Sequence, residues 1–316
     1  MRSRRTNVLA LSGGIGGAKL ALGLTHVVAP EDLAIVVNTG DDFEHLGLSI
    51  SPDIDTLVYT LAGLDNPEVG WGRRDETWTF MKALADLGGP DWFRLGDGDL
   101  AMHIERTRRL KAGETLSSVT ADLARRLGIG PRILPASDDP VRTRLTTSDG
   151  LLDFQDYFVR LRCAPEVREI EFVGAQTARP LPEVLDRLAD DALRAVVLCP
   201  SNPFVSIEPI LAVPGLREAL RATRAPVVAV SPIVGGQAIK GPAAKMMREL
   251  GISLTASSVA ARYADFLDGF VLDECDAGLA DAIPTRTLVT CTLMRDLETK
   301  KALARDVLAF VDILWT

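Results

Sequence analysis

Cysteine and histidine are scarce in this chain. The four cysteines (Cys163, Cys199, Cys275, Cys291) lie far apart with no C-x-x-C pair, and the three histidines (His26, His45, His103) are scattered. That spacing excludes a zinc finger and a disulfide framework, and it points to reduced thiols in a cytoplasmic protein. A basic excess is also missing: 35 lysines and arginines against 43 acids give a net charge of −8, which argues against a nucleic-acid partner. The opening Met1-Arg2-Ser3-Arg4-Arg5 is basic, but glycines break the apolar run behind it at once. Neither a secretory signal nor a membrane span is expected. What remains is 316 residues, 47% apolar and 25% charged, a composition that suits a soluble globular protein with a sizeable core.

Short apolar runs alternate with amphipathic stretches. Val8–Leu11, Leu33–Asn38, Ala195–Leu198 and Pro226–Val230 read as buried strands, each ending in a loop rich in Gly, Pro or Ser. Helical periods follow over Ala18–Leu24, Leu181–Leu193, Leu216–Ala222, Ala243–Leu250 and Leu297–Leu314. The pattern predicts an α/β fold, a doubly wound and mostly parallel Rossmann-like sheet with its ligand at the strand carboxyl ends. Residues from about 52 to 130 read as helical throughout (Thr56–Leu64, Asp75–Leu87, Leu100–Leu110, Leu116–Leu127). The expectation is one domain over 1–316, with an α/β core of 1–51 and 131–316 and a helical insertion lying over the strand ends. Asp149-Gly150 marks a hairpin between Val141–Thr147 and Leu151–Val159, placed at the sheet edge.

Chemistry-bearing residues gather at the predicted strand ends. After Val8–Leu11 come Gly13, Gly14, Gly16 and Gly17, then a helix. Strand, Gly-rich turn and helix can cradle a phosphate on backbone N–H groups; the same glycines also suit a tight turn with close helix–sheet packing. The dinucleotide fingerprint fails because Lys19 stands where its third glycine belongs, and the P-loop fails at Gly17-Ala18-Lys19-Leu20. Lys19 can reach a phosphate or be solvated. Asp41 and Asp42 close the second strand, and Asp53 and Asp55 open a helix behind Pro52. Two such pairs fit Mg²⁺, which takes a few carboxylates plus substrate phosphates; Asp53 and Asp55 also fit simple compensation of the helix dipole. Asp97-Gly98-Asp99 lacks the glutamate of an EF-hand, so it is either a turn with Asp99 as N-cap or part of a site, with His103 one helical turn on. Ser201 and Asn202 lie in a loop fixed by Pro200 and Pro203. Ser231–Gly236 and Lys240-Gly241-Pro242 follow the next strand.

The ordered set Leu11–Lys19, Asn38–Asp42, Ser51–Thr56, Gly70–Thr77, Leu95–His103, Pro135–Pro140, Phe154–Asp156, Pro200–Pro203 and Ser231–Gly235 resembles the 2-phospho-L-lactate transferase family. The resemblance runs from about Val8 to about Gly269, and the last forty or so residues carry none of it. It implies an Mg²⁺-dependent transferase of coenzyme F-420 biosynthesis. A phospho-acid group (phospholactate, or a related enolpyruvate or glycerate group) would move from a guanosine diphospho-ester to the deazaflavin alcohol Fo, with GMP leaving. The resemblance places Gly13, Gly14, Gly16, Gly17 and Lys19 at the diphosphate, and Ser201 and Asn202 at the guanosine end. It places Asp41, Asp42 and Asp53 at the metal, Asp42 and Asp55 in catalysis, and Asp53, Asp55, Asp97, Asp99 and His103 around Fo. Trp71 or Phe93 would stack on the deazaflavin ring, and a homodimer is implied.

One departure stands out. Family members commonly carry Leu-Gly-Asp-Arg-Asp-Leu-Ala-Thr-His, whereas this chain has Gly98 and Met102 in place of the arginine and the threonine. Loss of a fixed cation there predicts a changed or broadened donor preference. A sister group of nucleotide-sugar-binding regulators, linked to gluconeogenic growth, shares the glycine-rich start and the acid pair and is the rival reading. An NAD-dependent oxidoreductase fails on the fingerprint.

Overall fold

The computed structural model describes residues 6–68, 70–239 and 241–316; the basic opening and Lys240 of the Lys240-Gly241-Pro242 loop lie outside the described residues. Seven strands form one parallel sheet: β1 (Asn7–Ser12), β2 (Leu33–Val37), β3 (Arg132–Pro135), β4 (Leu193–Leu198), β5 (Val227–Val230), β6 (Gly269–Asp273) and β7 (Arg286–Thr290). Their order across the sheet is β7-β6-β5-β4-β1-β2-β3. The chain thus winds outward from β1 to β3, returns to β4 on the other side of β1, and winds outward again. This is a doubly wound α/β fold, and its topological switch point lies between β1 and β4.

The central strands are apolar on both faces, as strands covered on both sides must be. Leu9 and Leu11 of β1 join one core with elements of 134–283, while Val8 and Ala10 join the opposite core. Helices α1 (Gly14–Thr25), α2 (Pro52–Leu61) and Leu297–Leu314 build that second core. The rest of the segment before β3 is also helical: α3 (Thr79–Asp86), α4 (Asp97–Lys111) and α5 (Leu116–Arg126). Of these, α5 lies against β3, and α4 packs on the small hairpin Phe43–His45 and Leu48–Ile50.

Several expectations need correction. The Val141–Thr147 hairpin does not edge the main sheet. Arg142–Thr147 pairs antiparallel with Gly150–Asp153 on one side and Val167–Val173 on the other, forming a separate three-stranded sheet. Its expected second arm stops at Asp153, and Asp156–Arg160 turns helical. The helix expected over Leu181–Leu193 ends at Ala189, because Leu193 already belongs to β4. Asp99 is not an N-cap: α4 begins earlier, with Gly96 at the cap position.

Candidate active site

Glycine density after β1 has a packing cause. A Cβ on Gly16 would lie 2.2 Å from the Pro200 carbonyl oxygen, one on Gly17 2.5 Å from Ser201 Oγ, and one on Gly13 2.6 Å from Ser206 Cβ. Gly14 adopts φ +63°, which favours glycine. The start of α1 is therefore pressed against the loop that leaves β4, and the two loops wall the switch point together. Gly13 N–H donates to Ser201 Oγ (3.1 Å), and Asn202 Oδ1 accepts from Phe204 N–H (2.9 Å), fixing the second loop. Gly14 N–H is taken by Asp53 Oδ1 at 2.8 Å, so a carboxylate of the protein already sits at the α1 N-terminus. Helix geometry leaves the N–H groups of Ile15 and Gly16 without intrahelical acceptors. Lys19 turns elsewhere, with Nζ donating to the Met294 carbonyl (3.3 Å).

Four carboxylates meet beside this wall. Asp41, Asp42, Asp53 and Asp55 are only 7, 5, 7 and 5% exposed. Asp53 is satisfied at both oxygens, the second accepting from Asn38 Nδ2 at 2.8 Å. Asn38 also donates to the Val205 carbonyl and accepts from Gly40 N–H, so it joins β2, α2 and the β4 loop. Asp42 Oδ2 accepts from Ser51 Oγ (2.9 Å). The Oδ1 atoms of Asp41 and Asp42 are buried without a hydrogen-bond partner. Burial raises all three of these carboxyls: Asp42 from the ordinary 3.8 to about 7, Asp53 to about 6 and Asp41 well above its usual range, where the Asp53 charge adds to desolvation.

Asp55 is held by a different partner. Arg106 of α4, 2% exposed, grips it with both terminal nitrogens, Nη1 reaching Oδ2 at 3.1 Å and Nη2 reaching Oδ1. The same Nη1 lies 3.3 Å from His103 Nδ1. A guanidinium only donates, so the ring proton of His103 belongs on Nε2, which stands 3.1 Å from Asp99 Oδ2. Tyr59 donates to Asp99 Oδ1 (2.6 Å) and ends a row of close polar contacts Asp55–Arg106–His103–Asp99–Tyr59, in which His103 Nε2 itself makes no hydrogen bond. Asp97 stands outside this row. It accepts from Thr77 Oγ1, Thr79 N–H and Phe80 N–H, capping α3. Glu76 returns the gesture by accepting the N–H groups of Gly98 (2.7 Å) and Asp99 (2.8 Å) at the start of α4.

The structure thus brings Gly13, Gly14, Asp41, Asp42, Asp53 and Ser201 to the switch point, and links Asp55 to Asp99 and His103. Lys19 and Asp97 point to other work. Phe93 lies edge-on to Phe43 at 4.8 Å within a small aromatic cluster, whereas Trp71 is 57% exposed. The cation missing at position 98 has a neighbour in its place: a Cβ on Gly98 would lie 3.3 Å from Arg73 Cζ and 2.9 Å from Glu76 Oε1. Sequence reasoning missed Arg106, Tyr59, Ser51 and Arg142. For Arg106 the signal was present, since positions 99, 103 and 106 share one helix face.

Two orphaned carboxylate oxygens in a buried, acid-rich mouth suit a hard divalent cation. Among the described residues no group of three or more His, Cys, Asp and Glu side chains gathers as a ready metal cage. Mg²⁺ is commonly held instead by one or two carboxylates and the phosphates of its substrate. Nor is any helix among the described residues long and apolar enough to cross a membrane.

Fold and site together define an α/β protein of Rossmann-type topology, with a glycine-rich turn and buried carboxylates gathered at the carboxyl ends of its central strands. Residues 8–296 match the family described as 2-phospho-L-lactate transferase CofD, and the chain belongs to that family. It is 44% identical to a phosphoenolpyruvate transferase of Kitasatospora aureofaciens over 315 residues, covering 96% of this chain and 98% of that protein. A phosphoenolpyruvate transferase of Streptomyces coelicolor is 40% identical over 314 residues, with the same coverage of 96% and 98%. A crystal structure of a UPF0052 family protein from Bacillus halodurans shares the fold, with a TM-score of 0.62 at 12% identity over 97% of this chain and 100% of that one.

Proposed function

We propose that this transferase moves a phosphoenolpyruvyl group from a guanosine diphospho-ester to the ribityl hydroxyl of Fo, releasing GMP, in coenzyme F-420 biosynthesis. Family membership supports phospho-acid transfer, and the relatives' names favour enolpyruvate over lactate or glycerate as the acid. The observation that carries the site is the pair of unpartnered, buried Oδ1 atoms of Asp41 and Asp42 at the switch point. These two carboxylates would hold Mg²⁺, which when bound neutralises diphosphate charge. Of the first-turn N–H groups of α1, those of Ile15 and Gly16 stay without intrahelical acceptors and would favour an anion. In the transfer, the Fo hydroxyl oxygen bonds to the phosphorus that carries the acid. The bond from that phosphorus to the bridging oxygen breaks, GMP departs and the hydroxyl proton passes to water. Such a step asks mainly for positioning and charge neutralisation, and Asp55, held by Arg106, would orient the hydroxyl. A homodimer in the cytoplasm belongs to the same reading.

The experiment is Fo titration followed by GMP release in the presence of Mg²⁺ and the enolpyruvyl, lactyl or glyceryl donor. Saturable Fo binding with fastest release from the enolpyruvyl donor is expected. Asp42→Asn should reduce release by at least a hundredfold while leaving the circular dichroism spectrum unchanged. Tight binding of a nucleotide sugar without Fo binding would instead establish the regulator reading.

A further inference from the structure

Arg142 opens the strand Arg142–Thr147 and lies half-buried against the turn that carries Asp42. Its Nη1 donates to the carbonyl oxygens of Val141 (2.7 Å) and Thr39 (3.5 Å). Thr39 O also accepts Asp42 N–H at 3.2 Å, so one carbonyl binds both the guanidinium and the acid-bearing turn. Its neighbours on the same segment hold the turn as well: Thr143 N–H donates to Gly40 O (2.7 Å) and Gln155 Nε2 to Asp41 O (3.2 Å).

Among the described residues Arg142 forms no ion pair, and its Nε and Nη2 donate to no protein acceptor. This contrasts with Arg106, whose charge is consumed by Asp55. Nor does Asp42 close on Arg142: Oδ2 takes the Ser51 hydroxyl and Oδ1 has no partner. The guanidinium is still near enough that its charge is the strongest influence favouring ionised Asp42. A guanidinium anchored through Nη1 on the turn that carries Asp41 and Asp42, with Nε and Nη2 left open, can grip a planar carboxylate through two parallel hydrogen bonds.

We propose that Arg142 is a specificity-determining residue that binds the carboxylate of the donor's acid moiety. The assignment rests on the transferase reading above. GDP shares the donor's guanosine and diphosphate and lacks that carboxylate, so the two ligands separate the roles.

Arg142→Met and Arg142→Lys would be compared with the wild-type protein for GDP affinity, enolpyruvyl-diphospho-guanosine affinity, and KM and kcat for that donor. Arg142→Met should bind GDP within about twofold of wild type, bind the donor at least about tenfold more weakly, and raise KM more than it lowers kcat, the tenfold loss being what one good bidentate charge-assisted pair supplies. Arg142→Lys should recover part of the donor affinity. Unchanged donor affinity in Arg142→Met overturns the assignment, as does equal weakening of GDP and donor, which would tie Arg142 to the diphosphate. If Arg142→Met unfolds, the assignment rests on Arg142→Lys alone, and unchanged selectivity for donor over GDP there overturns it. Failure of the transferase reading shows differently: the wild-type protein itself then prefers neither ligand and releases no GMP, and both conclusions fall.

Discussion

Arg106 shows how much one residue decides here. Its side chain is 2% exposed, and a buried cation is tolerated only when it is fully paired. The charge is met by Asp55, and Nη1 also reaches Ser49 O and His103 Nδ1 at 3.3 Å each, while Nε is buried without a hydrogen-bond partner. Its consequence is a division of labour among the four acids. Asp55 is oriented by Arg106, Asp53 is spent on Gly14 and Asn38, and Asp41 and Asp42 retain open oxygens. Arg106→Met would leave Asp55 buried without its partner, and a loss of about 3–5 kcal/mol of stability is expected, read as a lowered urea midpoint. Adding Asp55→Leu to that variant should restore part of the loss, since removing both members of a buried pair costs less than removing one. A double variant no more stable than Arg106→Met would show that the pair is not what fixes α4 to α2.

At the level of elements, the wall between β1 and β4 depends on the absence of side chains. Gly16→Ala would place its Cβ 2.2 Å from a backbone oxygen, Pro200 O, which cannot swing aside as a side chain could. Such overpacking costs about 1–3 kcal/mol, so thermal unfolding should shift down by several degrees, and an unchanged midpoint would mean that the two loops separate freely. This wall also shows how far the chain could be read before folding. Leu33–Val37 and Val227–Val230 are wholly buried, and such continuous apolar runs identify parallel strands. The edge strands lack that signature. Arg132–Pro135 begins with an exposed arginine and ends in proline, and Arg286–Thr290 is buried at none of its five positions. Val167–Val173 hides for another reason: a register shift opposite Thr146 and Thr147 disrupts its two-residue alternation. Acid pairs were legible as pairs, because their positions at strand and helix ends follow from local sequence. Which of them keep free oxygens was not, since that depends on Asn38, Ser51 and Arg106 arriving from three different elements.

For the whole molecule, the buried acid cluster makes stability depend on pH. Asp42 titrates near 3.8 when unfolded and near 7 when folded and cation-free, and Asp53 near 6. A raised carboxyl means that the folded state holds a proton the unfolded state has released. Its stabilising contribution is therefore complete below about pH 4 and is lost as pH rises through about 6 to 7. Other carboxylates act in the opposite sense, for example Asp139, held near 2 mainly by hydrogen bonds from Arg179, so the acid cluster must be isolated by difference. The unfolding temperature of Asp42→Asn minus that of the parent, both without divalent cation, should grow between pH 5 and about 7 and level off above it. Under the proposed function Mg²⁺ would bind the ionised form, so its stabilisation of the parent should be small at pH 5, large at pH 8 and missing from Asp42→Asn. A shift on adding Mg²⁺ of equal size in parent and variant at pH 8 would place the cation away from Asp42. It would also remove the reason for two buried carboxylate oxygens without partners to stand beside the switch point.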